Sequence, residues 1–250
     1  MRNLAGLIFV ACLVVVAELV CDARLVSPAI FPAPHATAYA LFAAIMSGAL
    51  WLPLAQTVEH LLVGWLCACV VGTALGALIG ITTLGREYFA PTLEFLRPLP
   101  ASAIAPVALL LIGRNDAMIV AVVVFGAIWP VTLASATGFR AVEPRLNEVA
   151  RTLRLSGWKV FRTVALPSAL PAIIAGARVS IAIALILAVV AEILASIGGL
   201  GDWLNLAERS YRAPDLYAGV VVIGALGVAT NYALERVEAR LLRWKRRSAW

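Results

Sequence analysis

Charge is scarce in this chain. Asp, Glu, Lys and Arg make up 14% of its 250 residues, against about a quarter in an ordinary soluble domain. Lysine occurs only as Lys159 and Lys245, neither in a G-x-x-x-x-G-K setting, so there is no phosphate loop and any nucleotide must be bound by another chain. Histidine is limited to His35 and His60, which have no partner at metal-ligand spacing, so no metal site is expected. No H-E-x-x-H or Ser/His/Asp constellation gives a membrane enzyme its chemistry. The four cysteines, Cys12, Cys21, Cys67 and Cys69, form no C-x-x-C pair and fall in or beside apolar segments. They read as small hydrophobes and tell nothing of a redox compartment.

What is abundant is apolar sequence, at 62% of residues with a mean hydropathy of +0.95. That balance belongs to an integral membrane protein. A span needs roughly 20 apolar residues to cross ~30 Å of hydrocarbon, so five or six spans use up the length. The expected fold is all-α, a polytopic membrane bundle of about six transmembrane helices, with no room for a separate water-soluble domain.

In chain order, Leu4 to Val20 is apolar except for Glu18 and lacks a clean small-x-small cleavage site, which favours a retained span over a signal peptide. Leu25 to Pro34, with Pro28, Pro32 and Pro34, reads as an extended outer connector, and Thr37 to Ala49 as a helix lying in the interface. Val58 to Thr82 is the second span. Along it Gly64, Ala68, Gly72, Gly76 and Gly80 recur every fourth residue, a stripe that lets another helix approach closely, within one subunit or between two. Leu84 to Arg97, with Arg86, Glu87, Glu94 and Arg97, is an inner loop. The third span is broken by Pro98, Pro100 and Pro106, which fits either a pathway wall or a simple kink. Arg114-Asn115-Asp116 turns the chain into a fourth span, Ala117 to Gly138.

A basic insert, Glu143 to Pro171, follows before a fifth span at Ala172 to Ile193. It carries Arg145, Arg151, Arg154, Lys159 and Arg162. Asn147 to Leu155 reads as a short helix, with Pro144 suited to a first turn and Glu148 near the positive end of the helix dipole. Ser156-Gly157 is a turn, Trp158 to Ala165 a second helical piece, and Pro167 and Pro171 limit how the chain enters the span. Val149, Leu153 and Trp158 are available for packing. Ser196 to Pro214 is an outer loop with a short amphipathic helix, and Leu216 to Leu234 the sixth span. Arg236, Arg240, Arg243, Lys245, Arg246 and Arg247 make a basic tail.

Of the 20 Lys and Arg, only Arg24, Arg114, Arg209 and Arg212 fall on the outer side in this layout, apart from Arg178 within a span. Arg2, Arg86, Arg97, Arg140, the insert and the tail share the other side. The bias places both termini in the cytoplasm, and makes the net charge of +6 a signature of topology. Nucleic acid is a poor partner for a loop tethered between two spans. Arg178 and Glu192 are the deepest ionisable residues of the fifth span and hence pathway candidates, as is Pro106. Fourteen positions apart, ~21 Å along one helix, Arg178 and Glu192 must each find a partner elsewhere.

Glu148-Val149-Ala150 and Val164-Ala165-Leu166-Pro167 resemble, in spacing from end to end, the EAA loop of binding-protein-dependent ABC importer permeases. That pattern is E-A-A, three residues, G, nine residues, I-x-L-P. Val149 and Val164 replace Ala and Ile, and the glycine position falls on Arg154, with Gly157 the nearest glycine and the assigned turn. The blocks LRPLPASAIAPVALLLIG, GFRAVEPRLNEVA, ALPSALPAIIAGARVSIAIAL and AEILASIGGLG look like the branch that serves nitrate, alkanesulfonate, taurine and bicarbonate importers. Close relatives in that branch are also assigned to thiamin-precursor or riboflavin uptake.

The resemblance implies a type I ABC importer permease fold. Residues 1–57 would form an N-terminal span, outer connector and interfacial helix, and 58–250 a permease core with a cytoplasmic coupling loop at 139–171. Glu148, Val149, Ala150, Arg151, Arg154, Gly157, Leu166 and Pro167 would couple to ATPase subunits that bind the ATP, so the chain itself takes no cofactor. The implied assembly is a homodimer in a bacterial cytoplasmic membrane, met by a periplasmic or lipid-anchored substrate-binding protein. The alternative from another class is an ATPase-independent channel or scaffold.

Overall fold

The computed structural model describes residues 2–23, 26–27, 30–89, 91, 95 and 99–242. Arg24, Glu94, Arg97, Pro98, Arg243, Lys245, Arg246 and Arg247 lie outside them, as does the side chain of Arg151. The described elements are helical throughout: α1 (Arg2–Asp22), α2 (Pro34–Met46), α3 (Trp51–Ile81), α4 (Ala101–Ile112), α5 (Asp116–Arg140), α6 (Pro144–Thr152), α7 (Gly157–Ala195), α8 (Gly199–Arg209) and α9 (Ala213–Leu241). A single π-helical turn, Gly85–Phe89, follows α3.

Among the described residues, α3, α5, α7 and α9 are long and apolar enough to cross a membrane. The first expected span is the 21-residue α1. It meets α2 where the Glu18 carboxylate accepts the backbone N–H of His35 and pairs with its ring. The third expected span is the 12-residue α4, ~18 Å long, with Pro106 exposed inside it.

α3, α5 and α7 pack side by side as the centre of the bundle. The core between them is Leu61, Met118, Ile119, Val122, Val123, Ala184 and Ala188, all essentially sealed from solvent. Small residues make the approach possible. The glycine stripe of α3 faces α5 of the same chain, where a Cβ on Gly76 would come within 2.4 Å of Ser135 Cβ and one on Gly64 within 2.5 Å of Val123 Cγ1. Gly176 does the same on α7, against Ala134 at 2.6 Å. In lipid, where apolar contact alone drives nothing, such close backbone packing holds helices together.

The second span begins at Trp51, not Val58. Pro53 sits in its first turn, where a missing N–H is no loss. Gln56 and Thr57, ahead of the expected start, fall in the same helix as Glu59 and His60, and Thr57 and His60 are buried with partners on other elements. Residues 57 and 58 are thus neighbours within one helix. The fifth span also starts early. Pro167 and Pro171 lie inside α7, which runs unbroken for 39 residues. Its Phe161–Ala165 segment is π-helical, with the Leu166 N–H donating to Phe161 O. That wider turn gives the ring of Pro167 room that a regular α-turn would deny it.

Candidate coupling insert and far-end polar cluster

The bundle has two chemically distinct ends. At one, α3 and α5 finish at Ile81 and Arg140 and the basic insert folds beneath them. α6 stops in a Schellman arrangement: Arg154 adopts a left-handed conformation at φ +49° and the Leu155 N–H reaches back to Ala150 O at 3.0 Å. Arg154 therefore makes the turn that Gly157 was expected to make. Gly157 is instead the first residue of α7, without positive φ, and a Cβ there would meet nothing within 4 Å. A left-handed residue bearing a Cβ costs about 1–2 kcal/mol, so the backbone wants glycine where arginine stands.

Ala150 is buried at 3%, turned toward a cleft of about 720 Å³ under the spans. Leu146, Val149 and Leu153, at spacings of three and four, present an exposed apolar stripe, and Trp158 is 71% exposed. Glu148 and Arg154 are exposed as well. Stacked rings tie the insert to the bundle: Trp158 on Phe161 at 5.6 Å, and Phe161 on Phe139 of α5 at 5.8 Å. Leu166 and Pro167 are half-buried at the point where the insert becomes the long helix.

At the far end, the Glu192 carboxylate is fully buried and joins three helices. It accepts from Thr57 Oγ1 of α3 at 2.8 Å and from the backbone N–H of Gly201 in α8 at 2.9 Å, and meets His60 Nδ1 at 2.8 Å. Thr57 Oγ1 in turn accepts the Leu200 N–H at 2.8 Å, and Gln56 takes the Gly199 N–H at 3.0 Å. An anion thus sits at the N-terminus of α8, where orphan amide donors and the helix dipole favour it. His60 Nε2 lies 3.3 Å from Asp116, which is exposed. Arg114 closes the same end, donating to Ala195 O at 2.8 Å and Ser196 O at 2.9 Å.

Gln56, Thr57, His60 and Asp116 were not singled out by sequence reasoning, because their partners lie 56 to 143 residues away. The polar run in α3 was the available signal. Arg178 also finds its partner on another helix, pairing with Glu238 and, at 4.0 Å, Glu235 of α9. A third feature is an apolar cleft of about 550 Å³ between α4, α5 and α7, lined among others by Ser102, Trp129, Leu133, Val179 and Ile183. Trp129 Nε1 is buried there with no acceptor. Arg178, Glu192 and Pro106 do not line it.

Residues 70–247 match the family described as binding-protein-dependent transport system inner membrane component. The chain belongs to this family. It is an integral membrane protein and the permease subunit of an ABC importer, not an enzyme. The permease is 29% identical over 240 residues to a putative aliphatic sulfonates transport permease protein of Bacillus subtilis (strain 168), covering 96% of this chain and 87% of that one. It is 33% identical to a bicarbonate transport system permease protein of Synechococcus elongatus over 72% of this chain and 64% of that one. A nitrate import permease protein of Leptolyngbya laminosa is 29% identical over 78% and 70%. Among solved structures, the MetNI methionine ABC transporter in an inward-facing conformation superposes with a TM-score of 0.66 at 18% identity, covering 78% of the permease and 98% of that chain. That likeness is one of fold.

Proposed function

We propose that this permease imports a small oxyanion, of the nitrate, alkanesulfonate, taurine or bicarbonate kind, driven by separate ATPase subunits that bind the ATP. The observation that carries the reading is the continuity of α7. One unbroken helix runs from Gly157, just past the turn that carries the exposed apolar stripe of α6, to the buried carboxylate that grips α8, so displacement at one end is felt at the other.

In this reading the insert faces the cytoplasm of a bacterial inner membrane, both termini lie on that side, and Leu146, Val149 and Leu153 enter a groove on the ATPase. Glu148, Ala150, Arg151, Arg154, Leu166 and Pro167 set the geometry of that contact. α8 and its neighbours form the landing face for a periplasmic or lipid-anchored substrate-binding protein. Two copies meet across α4, α5 and α7, so that the apolar clefts combine into one central path. The donors of that path, Trp129 Nε1–H and the Ser102 hydroxyl, suit an anion that needs hydrogen bonds but must not be held by a full charge.

Co-purification under gentle detergent tests the assembly: a stable complex with a Walker-type ATPase is expected, and its absence favours an ATPase-independent channel. A binding screen of the partner binding protein against nitrate, sulfonates, bicarbonate and pyrimidines tests the substrate. Capture of a pyrimidine alone overturns the oxyanion.

A further inference from the structure

From the cleft beneath the spans we infer a binding site for one anionic phospholipid, wedged between the basic insert and the ends of α3 and α5. The cleft of about 720 Å³ has an apolar floor that includes Phe139, Val142, Leu155 and Phe161, and its charged lining residues are Arg86 and Arg140. Both guanidiniums are on exposed residues with no ion pair or hydrogen bond to a described residue. No Asp or Glu lines the cleft among the described residues.

A second groove, of about 470 Å³, leads away from it along the outside of α3. It is lined by Cys69, Val70, Thr73, Ala74 and Ala77, and shares Phe161 with the cleft. Val70 is 71% exposed, so the groove opens sideways toward lipid. From Ile81 at the cleft to Cys69 is twelve residues of one helix, ~18 Å, somewhat more than half of a ~30 Å hydrocarbon core.

The combination selects for an amphiphile. Two forked cations at the depth where spans end match phosphate oxygens, and a pocket of that kind between membrane helices favours anionic headgroups. A phosphocholine headgroup would bring its own ammonium into a cleft lined by two cations and, among the described residues, by no carboxylate. One acyl chain then follows the groove along α3, with its first carbons against Phe161. Because Phe161 stacks on Trp158 and Phe139, the lipid touches the joint by which the insert is held. The lipid thereby sets the resting position of the insert, independently of what α6 binds.

The test needs only the full chain, so its failure is separate from a failure to find an ATPase. The permease is exchanged into mixed micelles of equimolar phosphatidylglycerol and phosphatidylcholine, and retained lipid is counted by native mass spectrometry. One phosphatidylglycerol should be retained selectively. The double substitution Arg86→Gln with Arg140→Gln should weaken that selectivity about 30-fold. Ala74→Trp, at an exposed groove position, should cut retention while leaving both arginines in place. Equal retention of the two lipids, or unchanged retention in both variants, overturns the site. Displacement of the lipid by millimolar glycerol phosphate assigns the cleft to a free phosphate and overturns the lipid.

Discussion

Arg154 and Glu192 show opposite ways in which single residues can carry local cost. Arg154 holds a left-handed turn without the freedom of glycine. Arg154→Gly should raise stability by about 1 kcal/mol, read as a higher melting temperature of the purified permease in detergent. Glu192 is a buried charge whose cost is offset by Thr57, His60 and the amide of Gly201. Glu192→Ala leaves these three groups without their acceptor and should lower stability by about 3 kcal/mol in the same assay. Glu192→Gln retains an acceptor and the side-chain shape, and should cost about 1 kcal/mol. The sequence marked both positions as unusual, Arg154 by its place in the spaced pattern and Glu192 by its depth in a span. It could not name their partners, since neither a backbone angle nor a contact across more than a hundred residues leaves a local trace.

Elements were most legible where apolar length alone decides them. α5 lies within a residue or two of the expected span, and α9 extends its expected span by about a turn at the start and two at the end. The departures share a cause: a local signal overridden by a distant contact. The helix of the second span starts at Trp51, seven residues before the expected Val58, and its added turns include Thr57, buried against Glu192 and Leu200. Pro167 and Pro171 were expected to limit entry into the fifth span at Ala172, but both lie within α7, which the π-turn at Phe161–Ala165 keeps continuous. The fourfold glycine spacing, by contrast, was a sequence signal with a direct structural meaning, because a helix partner at that distance tolerates no Cβ. Gly76→Leu should therefore disrupt the α3–α5 seam and destabilise the fold by about 3 kcal/mol or more, seen as reduced yield and early melting. Gly224→Ala, where nothing lies within 4 Å, should leave both unchanged.

On the scale of the whole molecule, the chain keeps its chemistry at its two ends and an apolar core between them. In the importer reading, Glu148→Lys reverses a charge on the exposed face of α6 and leaves the bundle untouched. It should abolish transport-stimulated ATP hydrolysis in reconstituted vesicles, with membrane insertion intact; unchanged stimulation removes this residue from the mechanism. Arg178, a pathway candidate in sequence, clips α7 to α9 through Glu238 and does not line the apolar cleft, although its neighbour Val179 does. The 39 residues of α7 give up to ~58 Å of axis, nearly twice the ~30 Å thickness of hydrocarbon. A swing of about 5° about the Glu192 end carries the Gly157 end through about 5 Å, roughly one helical turn. In the importer reading, a small angular change at the Glu192 end would become a stroke long enough to seat or unseat the insert.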